Sequence, residues 1–503
     1  MTVWVLTNWL NRLPFPVTKL KIPVLPEQYN ISNDAGGVSI DTQIAAILEK
    51  SVDTPILKTC SPDELHSKFS SKMPLKGVPL ESILDELNST IVEYRRRNAH
   101  PGCWAYITSP GLPTDPLGHA ITAALNQNVT GFHSAPGATI MEQIIINWLV
   151  QLAGMPECAG GLMQGGGSLA NLSALTVARD FALGMDVVVN GVHAGPRPVI
   201  LVAETVHFSV TRAAHLLGLG KKDIISIKVN TAQQMDTSML KGSLEGLSMD
   251  SNVRVIAVVA TAGTTACGAI DPLAEIAGIC RHYGVWLHVD AAYGGAALLS
   301  DKLRDRLYGI DQANSITVDL HKWCYMSVDC SVLLYRDPLL ARKTFSSQAE
   351  YIREIDEGSK DSDVFYDLSP EVSRRFRALA VWIAFRHYGI EMLGHNILHN
   401  VECAEYLAER VDASAELELV VPPQLSICCF RYVAVDRNMT EQEIDVLNDN
   451  IVHQLAKNGD FLLSSTRLQN RSVLRVCIRS FKTKAVHIDK LIEEVCKLGK
   501  EYE

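Results

Sequence analysis

The chain has 503 residues, 47% of them hydrophobic, so it can bury a large core and is expected to form more than one domain. Its formal net charge of −10 at pH 7 argues against a surface that binds nucleic acid or an anionic membrane. The twelve cysteines are scattered and form no CxxC pair, which favours free thiols in a reducing compartment over a disulfide scaffold. We therefore expect a cytoplasmic protein.

The N-terminal segment, residues 1–98, is expected to be an arm or a small helical layer. Prolines between Pro14 and Pro26 break its start into extended pieces, and helices are predicted over 40–51 and 78–97. The start lacks the basic residues of a signal peptide, and no uncharged stretch is apolar enough for a membrane span.

Residues 99–393 alternate between short apolar runs and helical patterns. This alternation predicts right-handed βαβ units and a mostly parallel sheet covered on both faces, an α/β fold in which ligands bind beyond the carboxyl ends of the strands. Residues 394–503 are predicted to form a smaller α+β domain. The strands predicted for the larger region are 198–203, 224–229, 254–260, 285–289, 315–318 and 331–335.

Three consecutive glycines, Gly165 to Gly167, open a predicted helix. They allow close backbone approach and place Ser168 in the first helical turn, where free N–H groups and the helix dipole favour an anion. The run is neither GxGxxG nor a loop followed by Lys-Ser or Lys-Thr. A plain tight turn and a phosphate-binding turn are both consistent with it. The small and hydroxylic residues that begin at Thr261 allow the same two interpretations.

Asp290 directly follows a wholly apolar strand and is followed by Ala291 and Ala292. A carboxylate there must be paired, because burying it unpaired is costly. It could be the structural partner of an arginine, or it could hold a pyridine nitrogen protonated. His288, two residues earlier on the same strand face, is more typical of a hydrogen-bonded core histidine.

Two further histidines and one lysine lie at strand ends. His207 follows a strand and begins a helix, either as a solvated histidine or as an aromatic lid over a planar cofactor. His321 and Lys322 follow the strand 315–318 and precede Trp323. The lysine is either a residue at the edge of the core or a reactive amine, since a desolvated lysine loses its proton more readily and can form a Schiff base.

Taken in chain order, these motifs resemble those of the group II pyridoxal-phosphate-dependent amino-acid decarboxylases. The resemblance rests on HVDAAYGG (288–295) and DLHKW (319–323), and it extends from HPGCWAYITS (100–109) to SRRFRALAVWIAFRHYG (373–389). Within the family the chain is most similar to aromatic-L-amino-acid decarboxylases and their bacterial relatives. The resemblance implies a fold-type I large domain with a mostly parallel seven-stranded sheet, pyridoxal 5'-phosphate as cofactor, and a homodimer with the active site at the subunit interface.

The resemblance also implies roles for single residues. Lys322 would hold the cofactor through a Schiff base, Asp290 would pair with the protonated pyridine nitrogen so that the ring becomes an electron sink, and His207 would stack on the ring. The other cofactor-binding positions would be Gly167, Ser168, Thr261, Ala292 and His321.

In this family a mobile loop carries a tyrosine that returns a proton to the α-carbon. Tyr351 falls at that place, in a charged segment without periodicity, as expected of a closing lid. Tyrosine there favours simple decarboxylation, whereas phenylalanine marks the aldehyde synthases of the family. Arg374 and Arg375, which follow the loop, would lie near the subunit boundary.

Two positions depart from the family pattern. Leu169 stands where the family often has glutamate, and Asp319 stands where it often has asparagine as a phosphate ligand. A carboxylate beside a phosphate would repel it unless Asp319 turns away or bonds His321. Asp319 is therefore left out of the predicted phosphate ligands.

The substrate pocket is predicted from motif position as an aromatic, mostly apolar wall of Trp104, Tyr106, Ile107 and Phe132, the last reaching the partner's pocket. Such a wall favours an aromatic or other bulky side chain over a glutamate carboxylate. The expected reaction is decarboxylation of an L-amino acid to an amine and carbon dioxide. Three alternatives stay open: oxidative decarboxylation and deamination to an aldehyde, decarboxylation of a small polar or acidic amino acid such as diaminobutyrate or glutamate, and a catalytically silent relative that binds partners.

Overall fold

The computed structural model describes residues 55–69, 72–346, 364–433 and 439–502. The chain divides after Arg97 into two compact units. Within its described residues the first unit contains two short helices, and the second unit contains two β-sheets with their covering helices.

The helix predicted over 78–97 is shorter in the structure. Helix α1 spans Pro62–Ser67, and α2 spans Leu80–Leu87 and continues as a π-helical turn, Asn88–Val92. Beyond that turn, Arg97 bonds back to the start of the unit, with its backbone N–H donating to the oxygen of Ile56 at 2.9 Å and its Nη1 to that of Pro55 at 2.6 Å. The helix predicted over 40–51 lies outside the described residues.

A seven-stranded sheet is the centre of the second unit, as predicted. Its strands are β1 (Gly160–Gln164), β2 (Arg197–Ala203), β3 (Ile224–Ile227), β4 (Val253–Thr261), β5 (Trp286–Asp290), β6 (Ser315–Asp319) and β7 (Ser331–Tyr335). Their order is β1-β7-β6-β5-β4-β2-β3, with β7 antiparallel to both neighbours and the other neighbouring pairs parallel. The fold is therefore α/β with a mostly parallel sheet.

Helices precede, connect and follow these strands. They are α3 (Asp115–Leu125), α4 (Pro136–Leu152), α5 (Gly167–Leu183), α6 (Asp186–Asn190), α7 (Phe208–Leu216), α8 (Thr237–Ser248), α9 (Leu273–Tyr283) and α10 (Pro338–Phe345). The buried side chains of β2, β4 and β5 form the middle of the main core. Burial of such apolar surface is the main stabilising contribution to the fold.

Strand β1 was not among the strands predicted from the sequence. Its sequence, GGLMQ, carries two glycines and no β-branched residue, so it lacks the usual strand signal. Gly161 is required by packing, because a Cβ there would lie 2.1 Å from the backbone oxygen of Leu333 on β7. The close approach of β1 and β7 thus requires a glycine, and glycine weakens the sequence signal for a strand.

The register of the parallel strands aligns the positions that matter for the site. Thr261 on β4 pairs with Asp290 on β5, and Asp290 pairs with Thr317 on β6. The carboxyl ends of the three strands therefore lie side by side. The sequence that follows β6 leads directly to Lys322.

The smaller sheet is antiparallel and has the order β10-β11-β9-β8. Its elements are α11 (Ala378–Asp412), β8 (Leu417–Val421), β9 (Ile427–Tyr432), α12 (Glu441–Asn458), β10 (Ser464–Leu468), β11 (Arg471–Cys477) and α13 (Ala485–Tyr502). Helix α11 departs from helical geometry at Gly389, with φ 74° and ψ 158°. The domain boundary predicted between residues 393 and 394 lies close to this break and stays a prediction.

All twelve cysteines are free thiols. In the part of the chain that the structure describes, no helix combines the length and the apolar character needed to cross a bilayer. The cytoplasmic location stays a prediction.

Candidate active site

Lys322 lies just beyond the carboxyl end of β6, in a turn that is held from both sides. Its backbone N–H donates to Asp319 O at 3.1 Å, and Asp319 N–H donates to Ala292 O at 3.1 Å. The next residue, Trp323, is fully buried and donates from Nε1 to Asn400 Oδ1 at 3.0 Å. The backbone at Lys322 is therefore fixed, while 23% of its side chain stays exposed.

The amine of Lys322 forms an ion pair, with Nζ 2.9 Å from Asp319 Oδ2. Burial lowers the pKa of Lys322, but the attraction of Asp319 and then of Asp290 outweighs it, so the pKa lies above its ordinary value. Burial also raises the pKa of Asp319, but Lys322 and His321 outweigh that effect and lower it. Lys322 is thus held as an ammonium, which must lose a proton before it can act as a nucleophile.

Asp319 does not turn away from the glycine run. A Cβ on Gly167 would lie 2.8 Å from both of its carboxylate oxygens. The same carboxylate accepts a hydrogen bond from Ser331 Oγ and lies 3.8 Å from His321 Nε2. The Asp319 carboxylate therefore faces Gly167, the first residue of α5, where the phosphate is predicted to bind.

Asp290 is 5% exposed at the end of β5, and no arginine among the described residues pairs with it. Its Oδ2 accepts from Asn171 Nδ2 at 2.9 Å, and its Oδ1 accepts from the backbone N–H of Ala292 at 3.1 Å. Neutral donors hold the carboxylate and leave a lone pair on each oxygen. A protonated ring nitrogen would add the missing charge partner.

His207 is the N-cap of α7, where its Nδ1 accepts from the backbone N–H of Ser209 at 3.3 Å. Burial first, and then the positive charge of Lys322, lower the pKa of His207 against the opposing effects of Asp290 and Asp319. The half-buried imidazole is therefore neutral near pH 7. His207 thus belongs to one electrostatic cluster, whose other members are Lys322, Asp290 and Asp319.

The glycine run forms a sharp entry to α5. Gly166 has φ 112°, a conformation that L side chains rarely adopt, and the helix begins at Gly167. Ser168 follows in the first turn, where backbone N–H groups have no partner within the helix. Across the site, the buried Thr261 Oγ1 has no hydrogen-bond partner in the described residues.

These features fit pyridoxal phosphate, the cofactor implied by the sequence resemblance. The N-terminus of α5 suits a phosphate, Asp290 suits a pyridinium, and Lys322 suits an aldehyde carbon. The unpartnered Thr261 hydroxyl is a further contact that a ligand could complete. Asp319 is the one neighbour whose charge opposes the phosphate.

The residues predicted to line a substrate pocket lie in different environments. Tyr106 and Phe132 are partly exposed aromatic rings, and Ile107 is buried. Trp104 is fully buried in the core of the smaller sheet, where its ring stacks on Phe461 with centroids 5.5 Å apart. We therefore do not retain Trp104 in the proposed pocket.

Tyr351 lies outside the described residues, so its role stays a prediction. His288 is fully buried and hydrogen-bonded through both nitrogens, which confirms its interpretation as a core histidine. Asn171 and Ser209 were not singled out from the sequence, although both contact the cluster. The spacing of Asn171 four residues after Gly167, on the same face of α5, was the available signal.

Three comparisons with known proteins agree with the site. The model of the pyridoxal-dependent decarboxylase conserved domain matches residues 62–433. The chain is 32% identical to an aromatic-L-amino-acid decarboxylase of Bacillus atrophaeus, over 89% of this chain and 91% of the relative. It is 29% identical to an L-2,4-diaminobutyrate decarboxylase of Acinetobacter baumannii, over 86% of each.

The fold is similar to that of solved structures. A crystal structure of Oryza sativa TDC with PLP and tryptamine superposes with a TM-score of 0.85 at 28% identity, covering 92% of this chain and 96% of that chain.

Proposed function

The chain belongs to the pyridoxal-dependent decarboxylase family, and on that premise we propose that it converts an L-amino acid with an aromatic or otherwise bulky side chain to its amine and carbon dioxide. The reaction class is that of a pyridoxal-phosphate-dependent amino-acid decarboxylase, a carboxy-lyase. The observation that carries the proposal is the cluster of Lys322, Asp290 and His207 at the carboxyl edge of the large sheet.

When bound, pyridoxal phosphate supplies an electron-poor ring that accepts the electron pair left on the α-carbon when carbon dioxide departs. Asp290 would pair with the ring nitrogen, and His207 would cover one face of the ring. Ser168 and the first amides of α5 would hold the phosphate, with Thr261, Ala292 and His321 beside it. Lys322, once deprotonated, would be the nucleophile that binds the cofactor, and Tyr351 would protonate the α-carbon of the product.

Two lines support a bulky substrate. The relative with 32% identity is named for aromatic amino acids, and the rice structure was solved with tryptamine. Tyr106 and Phe132 are large aromatic side chains that stay partly exposed, as the wall of a pocket for a bulky side chain requires. The 29% identical diaminobutyrate decarboxylase makes a small polar substrate the second candidate.

The test is to incubate the cofactor-loaded protein with tryptophan, tyrosine, phenylalanine, glutamate and 2,4-diaminobutyrate, and to measure amine and carbon dioxide. Turnover of the aromatic amino acids alone would support the proposal, and turnover of diaminobutyrate or glutamate alone would contradict its substrate class. Peroxide or ammonia released in step with carbon dioxide would establish the aldehyde-forming alternative. Lys322→Ala is the inactive control, and wild-type turnover by that variant would contradict the mechanism.

We also propose a homodimer in which Phe132 reaches the partner's pocket. Phe132 is 38% exposed in the single chain, so part of its ring is accessible to a second subunit. Mixing inactive Lys322→Ala subunits with impaired Phe132→Ala subunits tests this directly. A shared site predicts recovered activity in the mixed dimer, because one of its two sites has both residues, and no recovery would contradict it.

A further inference from the structure

A buried asparagine joins the two cofactor-facing groups on β5 and α7. Asn171 is 1% exposed on α5, and its Nδ2 donates both to Asp290 Oδ2 at 2.9 Å and to Ser209 Oγ at 3.1 Å. Its Oδ1 is 3.0 Å from His288 Nε2. Ser209 Oγ lies 2.7 Å from His207 Nδ1. Every polar atom of the Asn171 side chain is therefore engaged.

The groups that can only donate or only accept fix the direction of the hydrogen bonds around Asn171. A carboxylate only accepts, so the amide nitrogen of Asn171 must face Asp290, and its oxygen must accept from His288 Nε2–H. His288 Nδ1 then accepts from Ser315 Oγ at 2.8 Å, and Ser315 Oγ accepts from Trp286 Nε1–H at 2.9 Å. The chain of donors from Trp286 to Asn171 is complete.

The same reasoning fixes the tautomer of His207. The backbone N–H of Ser209 donates to His207 Nδ1, which requires that nitrogen to be an acceptor. Ser209 Oγ, which accepts from Asn171, must therefore donate its own hydrogen to His207 Nδ1. Neutral His207 must then carry its proton on Nε2. That nitrogen forms no hydrogen bond with the described residues.

We propose that Asn171 is a positioning residue that orients the Asp290 carboxylate toward the cofactor ring nitrogen and, through Ser209, sets His207 as the tautomer protonated on Nε2. The inference rests on the proposed function, because both groups act on the same cofactor. Asn171 touches neither substrate nor reacting atoms; it acts through Asp290 and Ser209. His288 supports it by fixing which way the amide points, and burial lowers the pKa of His288 to about 4, so it stays neutral near pH 7.

The charged and titratable surroundings of the network are few. Asp290 raises the pKa of His207, His288 and Lys322. Asp319 also raises the pKa of His207, and Arg212 lowers it. Asn171 is neutral, so it donates to Asp290 without competing for a proton. An aspartate at position 171 would place a second carboxylate against Asp290, and one of the two would bind a proton.

The first experiment measures the tautomers without any cofactor. Nitrogen-15 NMR of the histidine side chains, assigned with His207→Gln and His288→Gln, should report both residues as neutral and protonated on Nε2. Ser209→Ala should weaken this preference at His207, because only the backbone N–H of residue 209 is left to donate to Nδ1, and should leave His288 unchanged. A His207 proton on Nδ1 in the wild-type protein would overturn the inference. Because this test needs neither cofactor nor activity, it is independent of whether the proposed reaction is correct.

The second experiment measures cofactor binding by visible absorbance. Asn171→Asp should weaken pyridoxal phosphate binding by about 10- to 100-fold, the usual cost of losing hydrogen bonds to a charged group. It should also make the absorbance of the bound cofactor depend on pH near neutrality. Ser209→Ala should change the affinity by less than about 10-fold, since Asp290 keeps its donor.

Ser173→Ala is the matched control on the same helix. Ser173 is buried and accepts from Gln164 Nε2 at 2.9 Å, but it lies outside the network. This variant should lose stability and keep wild-type cofactor affinity. Equal losses of affinity in Asn171→Asp and Ser173→Ala would show a merely structural role. If the wild-type protein binds the cofactor but decarboxylates no amino acid, the proposed function fails. The inference about Asn171 is then decided by the NMR experiment and the cofactor-binding experiment alone.

Discussion

Lys322 Nζ and Asp319 Oδ2 lie 2.9 Å apart, so the reactive amine is paired with a carboxylate three residues before it in the chain. That carboxylate also faces Gly167, the first residue of α5, where a phosphate is proposed to bind. On the proposed function, Asp319 would therefore act on two steps of cofactor capture. It holds the lysine protonated, and it places a negative charge beside a dianionic ligand.

Asp319→Asn should bind pyridoxal phosphate at least about tenfold more tightly, since a nearby like charge is removed. It should also capture the cofactor at lower pH. Asp319 raises the pKa of Lys322, so without it a larger fraction of the amine is deprotonated at any given pH. Absorbance titrations between about pH 6 and pH 9 measure both effects.

Pyridoxal without its phosphate separates the two contributions. Asp319→Asn should shift the pH dependence of capture for both ligands, because both react with Lys322. The gain in affinity should be larger for pyridoxal phosphate, because only that ligand carries the repelled anion. A loss of pyridoxal phosphate affinity in the variant would instead identify Asp319 as a partner of the cofactor.

Gly167→Ala tests the packing between α5 and Asp319. The added methyl group would lie 2.8 Å from both carboxylate oxygens, so the Lys322 pair or the helix start must shift. We expect a loss of about 1–3 kcal/mol in the free energy of unfolding and weaker cofactor binding. Urea denaturation and absorbance titration measure the two effects.

Gly242→Ala is the control for this substitution. Gly242 lies within α8, and a Cβ there meets open space. Alanine is favoured over glycine in a helix by up to about 1 kcal/mol, so this variant should be as stable as the wild type or more stable. A similar loss in both variants would mean that the close contact at Gly167 does not matter.

Six of the seven strands of the large sheet, and the polar residues at their carboxyl edge, could be predicted because their signals are local. Each of β4, β5 and β6 is a short, mostly apolar run, and the polar residues at their carboxyl ends fall at one edge of a parallel sheet. Asp290 and Lys322 were found in this way. Strand β10, SSTRL, was missed because it lies at the edge of the small sheet, where no apolar pattern is needed.

The role of Asn171 could not be predicted because it depends on distant contacts. Asp290 and His288 lie 119 and 117 residues away in the chain, and nothing in the local sequence indicates that they meet one amide. The position of Asp319 was uncertain for the same reason. Whether a carboxylate faces a glycine or turns away is decided by packing between β6 and α5.

His288 should make stability depend on pH in the mildly acidic range. Burial lowers its pKa from 6.5 to about 4, so the unfolded chain binds a proton there before the native protein does. Its contribution to stability is therefore complete above about pH 6.5 and is lost as the pH falls toward 4, a change of about 3 kcal/mol.

His288→Gln removes this titration, and glutamine can still place an N–H donor toward Asn171. The free energy of unfolding, measured in urea, should therefore fall less steeply with decreasing pH in the variant than in the wild type. His282→Gln, at an exposed position on α9, should keep the wild-type slope. Equal slopes for wild type and His288→Gln would contradict the assignment of a neutral buried histidine.

Arg374 and Glu142 form a fully buried ion pair inside one chain. Arg374 also donates from Nη1 to Val129 O at 2.6 Å and from Nη2 to Met163 O at 2.7 Å, and its guanidinium lies 4.5 Å from the centre of the Phe365 ring. Glu142 accepts from the backbone N–H of Met163 at 2.8 Å. The pair thus joins α4 to the segments before α5 and α11.

Arg374→Met should cost about 3–5 kcal/mol of unfolding free energy, because it leaves the Glu142 carboxylate buried without a counter-charge. Adding Glu142→Gln should recover much of that loss, since no buried charge then remains. Arg375 is the matched control: its side chain is 56% exposed and pairs with Asp329, so Arg375→Met should cost less than about 1 kcal/mol. Urea unfolding at several protein concentrations measures all three, and a concentration-dependent loss in Arg375→Met alone would instead place that residue at the predicted subunit boundary.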